Sequence, residues 1–226
     1  MWDKIRILVV AANPWTTGRM LFDEEVREIF VRIQEGPYRD RFELYSFMAL
    51  KPRDLQRLLM MYRPHIVHFT GHGHKTRRII LGGAPGRGKA IDGQGLAQVF
   101  ALYSHHVRLV VLNACFTDVL ARSITKAVDY SVGASKAIGD RAGVAFAAAF
   151  YRALGFGNPV REAFASAKAE LGLTRTPRAQ GIELFVRNGI NECDSFPSVK
   201  NSVICPERRR DALERRIVPG LVNSVR

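Results

Sequence analysis

The pattern that most restricts this chain is a regular alternation of apolar, β-rich runs with amphipathic helical repeats. Ile5 to Ala12 (IRILVVAA) is almost continuously apolar and stops at Asn13-Pro14, as a central strand covered on both faces does. From Arg19 to Ile33, the residues Leu21, Phe22, Val26, Ile29, Phe30 and Ile33 recur at three- and four-residue spacing. The acids Asp23, Glu24 and Glu25 fall in the first turns, where the exposed N–H groups of a helix favour negative charge. The same alternation then continues. Strands are predicted at 42–48, 65–70, 107–113, 130–134 and 182–186, and helices at 52–62, 96–103, 119–127, 140–154 and 159–171. Strand, helix, strand in this rhythm implies right-handed crossovers. The expected fold is an α/β three-layer sandwich, a mostly parallel sheet with helices on both faces.

Two segments stand outside that rhythm. Residues 71–95 hold eight glycines around one short apolar run, Ile79 to Leu81, which predicts a loop with a small hairpin. After Asn188 the chain is polar and interrupted by Pro197, Pro206 and Pro219, and it carries Arg208-Arg209-Arg210 and Arg215-Arg216. The expected division is therefore one domain over 1–188 and a basic extension over 189–226. With 47% hydrophobic residues the 226-residue chain has enough apolar surface for a core. No apolar run approaches the ~20 residues that a membrane helix needs. Three cysteines, Cys115, Cys193 and Cys205, are an odd number in a chain too large to need disulfide staples. Together with an N-terminus lacking a basic, cleavable leader pattern, this predicts a reducing, cytoplasmic location. The net charge of +13 predicts attraction to acidic partners and says nothing of the fold.

In open parallel sheets, ligands bind beyond the carboxyl ends of the strands. Two such ends carry reactive side chains. Ile66-Val67-His68-Phe69-Thr70 runs into Gly71-His72-Gly73, and Leu109-Val110-Val111-Leu112 runs into Asn113-Ala114-Cys115. If these strands are neighbours, His72 and Cys115 project from one edge as a cysteine–histidine dyad. A free thiol is only a few per cent thiolate near neutrality, and an adjacent imidazole raises the useful fraction and later protonates the leaving amine. The glycines beside His72 admit a substrate close to the backbone. The Gly73 and Cys115 N–H groups are then the expected oxyanion-hole donors.

The segments VHFTGHG (67–73) and VVLNACFTD (110–118) resemble the His and Cys motifs of bacterial CHAT-type caspase-like peptidases, of the same clan as caspases and separase. ILVVAANP (7–14), DEEVREI (23–29), DYSVGASKAIGDRAGVAFAAAFYRAL (129–154) and NPVREAFASAKAEL (158–171) resemble that family too, so the likeness spans about Ile5 to Val186. His72 precedes Cys115 by 43 residues, close to the ~50 of caspases. The resemblance implies a cysteine endopeptidase with His72 as general acid/base, Cys115 as nucleophile and Gly73 as an oxyanion donor. It implies no metal and no cofactor. It also implies a protein substrate and a role in bacterial defence or programmed cell death; because the chain is nearly all catalytic domain, a regulatory or sensor protein encoded separately, or control by the site's own loops, is expected. The chain departs from the family at Phe116-Thr117-Asp118, where many relatives carry an aromatic followed by small residues, so Asp118 is expected to alter the cleft wall or the field at the thiol.

Plainer readings compete at several positions. His68 sits within its strand and reads as a core histidine supporting the loop. Gly83 to Lys89 spells G-x-x-x-x-G-K, but Ala90 removes the magnesium-binding hydroxyl of a phosphate loop, so a substrate-cleft loop is expected there. Asp140, after Gly139, is either a helix N-cap or, by resemblance to the separase-like branch, the acid of a pocket for a basic P1 side chain. Asp118 is the second acid considered for that pocket. The basic extension lacks the interleaved aromatics or zinc spacing that would sharpen a nucleic-acid reading. The rival to a peptidase is a catalytically silent scaffold that recruits an acidic partner through the positive surface.

Overall fold

Alternate residues of the first strand, β1 (Ile5–Ala11), part to opposite faces, and this parting organises the molecule. In the computed structural model, which describes residues 4–11, 19–71, 73–74, 76–82, 89–177 and 179–190, Ile5, Ile7, Val9 and Ala11 enter one apolar core. Leu8 and Val10 enter another. The chain continues through α1 (Arg19–Gln34), β2 (Phe42–Phe47), α2 (Pro52–Tyr62) and β3 (Ile66–Thr70). Next come three short strands, β4 (Gly73–His74), β5 (Arg78–Leu81) and β6 (Lys89–Ile91), followed by α3 (Gly93–Leu102) and β7 (Leu109–Asn113). Then follow α4 (Asp118–Ile124), β8 (Tyr130–Ala134), α5 (Asp140–Gly155), α6 (Val160–Leu173) and β9 (Ile182–Val186).

Six of the strands form the main sheet in the order β2-β1-β3-β7-β8-β9. All neighbours are parallel except β9, which returns antiparallel along β8. Helices α1, α5 and α6 cover the first face with Ile29, Phe146, Phe150 and Ala163 among the buried contacts. The opposite face is covered by α2, α3 and α4 through Leu58, Leu59, Phe100 and Leu120. Full burial of the leucine, isoleucine and phenylalanine side chains among these contributes about 1.5–3 kcal/mol each, which is what commits the amphipathic helices to the sheet. The expected three-layer α/β sandwich is thereby realised.

Local chemistry sets the helix ends. Pro52 opens α2, where a missing N–H costs nothing, and Asp54 accepts from the Lys51 N–H at 3.3 Å. Asp92 caps α3 by accepting from the Gly95 N–H at 2.8 Å. Several boundaries shift by one to three residues from the sequence reading, and the glycine-rich segment differs in kind. Strand β7 begins at Leu109, not 107, because Val107 is still held in a turn by its N–H to the Tyr103 carbonyl at 2.9 Å. The glycine-rich segment holds a three-stranded antiparallel sheet, β4-β5-β6, where a hairpin was expected. Lys89 begins a strand and not a helix, so the G-x-x-x-x-G-K run lacks the helix N-terminus a phosphate loop requires. No helix among the described residues is long and apolar enough to cross a membrane. Most of the basic extension, residues 191–226, lies outside the described residues.

Candidate active site

Strands β3 and β7 are direct neighbours, and their register pairs Thr70 with Asn113, the last residue of each. The two chain segments that carry the predicted dyad therefore leave the sheet side by side at its carboxyl edge. Gly71, with φ of 152°, makes the turn out of β3. His72 lies outside the described residues. Gly73 begins β4 and pairs with Ile79 of β5.

On the other segment, the loop that carries Cys115 is fastened to β8. Thr117 donates its backbone N–H to the Ala134 carbonyl at 2.8 Å, and its hydroxyl accepts from the Ala134 N–H at 3.0 Å while donating to the Ala114 carbonyl at 2.8 Å. This close approach requires Gly133, because a Cβ there would sit 2.8 Å from the Thr117 oxygen. Phe116 takes a left-handed φ of 56°, a strained conformation for an aromatic residue worth about 1–3 kcal/mol. The chain thus turns sharply just after the cysteine. Cys115 is a half-buried free thiol whose Sγ donates to the Ile138 carbonyl at 3.4 Å.

Beside the thiol opens a pocket with about 580 Å³ of empty space, part of it open to solvent. Phe22, Ile138 and Val144 give it apolar walls, and Glu25 and Asp140 give it two carboxylates. Asp140 is exposed and is the first residue of α5; the N-cap is Gly139, with no side-chain capping bond. The capping role is thus corrected, because the carboxylate sits one position too far into the helix to accept as a cap does. Asp118 is the first residue of α4 and is not among the pocket's lining residues. Its Oδ2 accepts from Arg77 Nη1 at 2.8 Å, tying the turn before β5 to the segment after the cysteine.

Sequence reasoning missed the most buried polar group of the pocket. Glu25, 3% exposed, receives Asn113 Nδ2 and the Thr70 hydroxyl, the terminal side chains of β7 and β3, and His68 Nε2 at 2.8 Å. His68 Nδ1 lies 3.1 Å from the Tyr151 hydroxyl of α5. Burial, and then the charge of Glu25, push the Tyr151 phenol well above its ordinary value, so it stays protonated and shares a hydrogen bond with Nδ1. His68 is wholly buried and supports this network, as the sequence reading expected. The Asn113 amide is packed against α5 at Gly143, where a Cβ would meet Oδ1 at 2.8 Å and Nδ2 at 2.9 Å. One signal for Glu25 was available. With Phe22, Ile29 and Ile33, which lie at helical spacing, it occupies the buried stripe of α1, where an acid is anomalous. Among the described residues no cluster of three or more potential ligands could hold a metal ion.

The sheet order and its two helical layers define a three-layer α/β protein, and comparison with known proteins supplies the family. Residues 21–180 match the CHAT domain model, so the chain belongs to the CHAT family. A Roc-COR-CHAT protease from an unknown prokaryotic organism is 24% identical over 156 residues, covering 66% of this chain and 15% of that protein. A probable protease from Gillisia limnaea is 22% identical over 153 residues, covering 66% of this chain and 26% of the relative. The chain therefore corresponds to a minor part of each relative's length. Among solved structures, the secreted C11 cysteine protease iotapain from Bacteroides thetaiotaomicron superposes with a TM-score of 0.56 at 10% identity, covering 81% of this chain and 67% of that one. The Drosophila initiator caspase Dronc gives 0.55 at 11%, with 83% and 81% covered. Both likenesses are of fold.

Proposed function

We propose that this chain is a cysteine endopeptidase that cleaves a protein substrate after a basic residue. The observation that carries the reading is the β3–β7 register, Thr70 against Asn113, which launches the His72 and Cys115 segments from one sheet edge beside a pocket. In the proposed reaction His72 takes the Cys115 proton, and the thiolate attacks the substrate carbonyl. The tetrahedral oxyanion is held by the Gly73 and Cys115 N–H groups, a contribution of about 3–4 kcal/mol per donor in hydrolases where it has been measured. The C–N bond then breaks, the amine leaves with the proton from His72, and water hydrolyses the thioester to restore the thiol. In this reading Asp140, an exposed residue lining the pocket, attracts the basic P1 side chain.

The same reading extends to a role in bacterial defence or programmed cell death, with a regulatory or sensor protein as partner, in a reducing cytoplasm where Cys115 stays a thiol. The test is hydrolysis of fluorogenic peptides with Arg, Lys, Asp or Leu at P1, by the full chain and by Cys115→Ala. Turnover after Arg and Lys is expected, and the variant should lose at least about 10³-fold in kcat/KM, as removal of a nucleophile does elsewhere. Cleavage after Asp alone would sink the basic pocket. Absence of cleavage together with no labelling of Cys115 by electrophilic peptides would favour the silent scaffold.

A further inference from the structure

The pocket beside Cys115 is anomalous in charge. The chain carries 34 lysines and arginines, yet none is among the described residues that line this pocket, whereas Glu25 and Asp140 are. The two acids differ in depth. Asp140 is exposed at the mouth, where water screens it, and Glu25 is 3% exposed at the floor. A charge with little water around it acts much more strongly on a partner than one in solvent.

Burial of a carboxylate on an apolar helix stripe is costly unless its oxygens are satisfied. Glu25 is nearly satisfied. Oε1 accepts from His68 and Asn113, and Oε2 accepts from Thr70. A carboxylate offers about four acceptor sites, so one on Oε2 is left, and the side chain borders the pocket. The partners also fix the carboxylate in place. Thr70 and Asn113 end the two strands that carry the reactive segments, and His68 is itself held by Tyr151. The apolar walls from Phe22, Ile138 and Val144 suit the aliphatic stem of a long cationic side chain.

We propose that Glu25 is a specificity-determining residue: its buried carboxylate forms the floor of the pocket and selects a guanidinium, amidinium or ammonium group, with Asp140 acting only at the entrance. The name P1 pocket rests on the peptidase reading above, but the charge selectivity does not. It can therefore be measured without turnover. The readout is the rate at which iodoacetamide alkylates Cys115 in the full chain, followed by peptide-resolved mass spectrometry, with benzamidine or its neutral isostere benzamide present.

Millimolar benzamidine is expected to slow alkylation at least threefold and benzamide to leave it unchanged. In Glu25→Gln the difference between the two should vanish, and in Asp140→Asn most of it should persist. A merely structural role for Glu25 would alter Cys115 reactivity with both compounds equally. Equal effects of the two compounds on the unmodified chain overturn the proposal, as does protection lost in Asp140→Asn but kept in Glu25→Gln. If Glu25→Gln does not fold, the unmodified chain and Asp140→Asn still decide the matter. Failure of the peptidase reading has a different signature, charge-selective protection of Cys115 with no peptide cleaved.

Discussion

Two carboxylates lie buried at opposite ends of the same sheet, and they are neutralised in different ways. At the end where β7 and β8 begin, Asp129 is 1% exposed and takes Arg187 Nη2 at 2.5 Å on one oxygen and Arg108 Nη1 at 3.2 Å on the other. At the carboxyl edge, Glu25 is 3% exposed and takes a hydroxyl, an amide and an imidazole. Two guanidinium groups cancel the charge of Asp129 and tie β7, β8 and β9 together. No lysine or arginine among the described residues pairs with Glu25, which is held by an amide, a hydroxyl and an imidazole, and a pocket borders it. The same burial therefore yields a structural tie at one end and a charged recognition surface at the other.

The sharpest way to break this contrast is to disturb the Glu25 edge without touching a charge. Gly143→Ala puts a methyl within 3 Å of the Asn113 amide. It should lower peptide turnover tenfold or more, and the overpacking should cost about 1–3 kcal/mol in a urea melt despite the better helix propensity of alanine. Unchanged turnover would show that Asn113 does not govern the pocket. At the other end, Asp129→Asn should lower stability by about 1–3 kcal/mol, because both partner arginines reach solvent and limit the loss. Alkylation of Cys115 should keep its rate in that variant; a slowed rate would mean that the two ends are coupled.

A smaller effect concerns protons at the Asp129 end. Burial first, then the charges of Arg6, His106 and Arg108, push His65 from 6.5 down to about 3, and its Nδ1 accepts the Arg6 N–H at 2.9 Å, which requires an unprotonated nitrogen. Burial also lowers His106. Below pH 6.5 the unfolded chain therefore binds protons that the native state refuses, and stability falls as pH drops from there toward 3. His65→Asn, which keeps an acceptor, should flatten the dependence of the urea midpoint on pH between 6.5 and 4 by up to one proton; an unaltered slope rejects the assignment. The smallest effect is expected where neither end is touched. A Cβ at Gly172 in α6 meets nothing within 4 Å, so Gly172→Ala should raise stability by about 0.5–1 kcal/mol in the same melt.

Much of this architecture was legible from periodicity. The run Ile5 to Ala12 announced a two-faced strand, and the spacing of Phe22, Val26, Ile29 and Ile33 announced a helix that buries one face. His68 was read as a core support and is one. Cys115 was legible from its motif at a strand end, and the structure adds the geometry that holds it, a left-handed Phe116 and Thr117 bonded to Ala134. Other features were hidden because they depend on partners remote in sequence. Asp118 reads as a cleft acid until Arg77, 41 residues away, is seen to hold it. Glu25 reads as an ordinary first-turn acid until Asn113, 88 residues away, is seen to donate to it.

The sequence by itself determined the order of strands and helices, the parallel sheet with two covered faces, and the strand ends at which His72 and Cys115 stand. It could do so because periodicity and chain turns are local, and crossover handedness leaves few ways to assemble them. Tertiary structure alone decided which acids share a pocket, which are neutralised by arginine, and which glycines admit a neighbour. Those outcomes depend on distances between elements far apart in the chain, set by how two cores pack against one sheet, and no local pattern of residues encodes them.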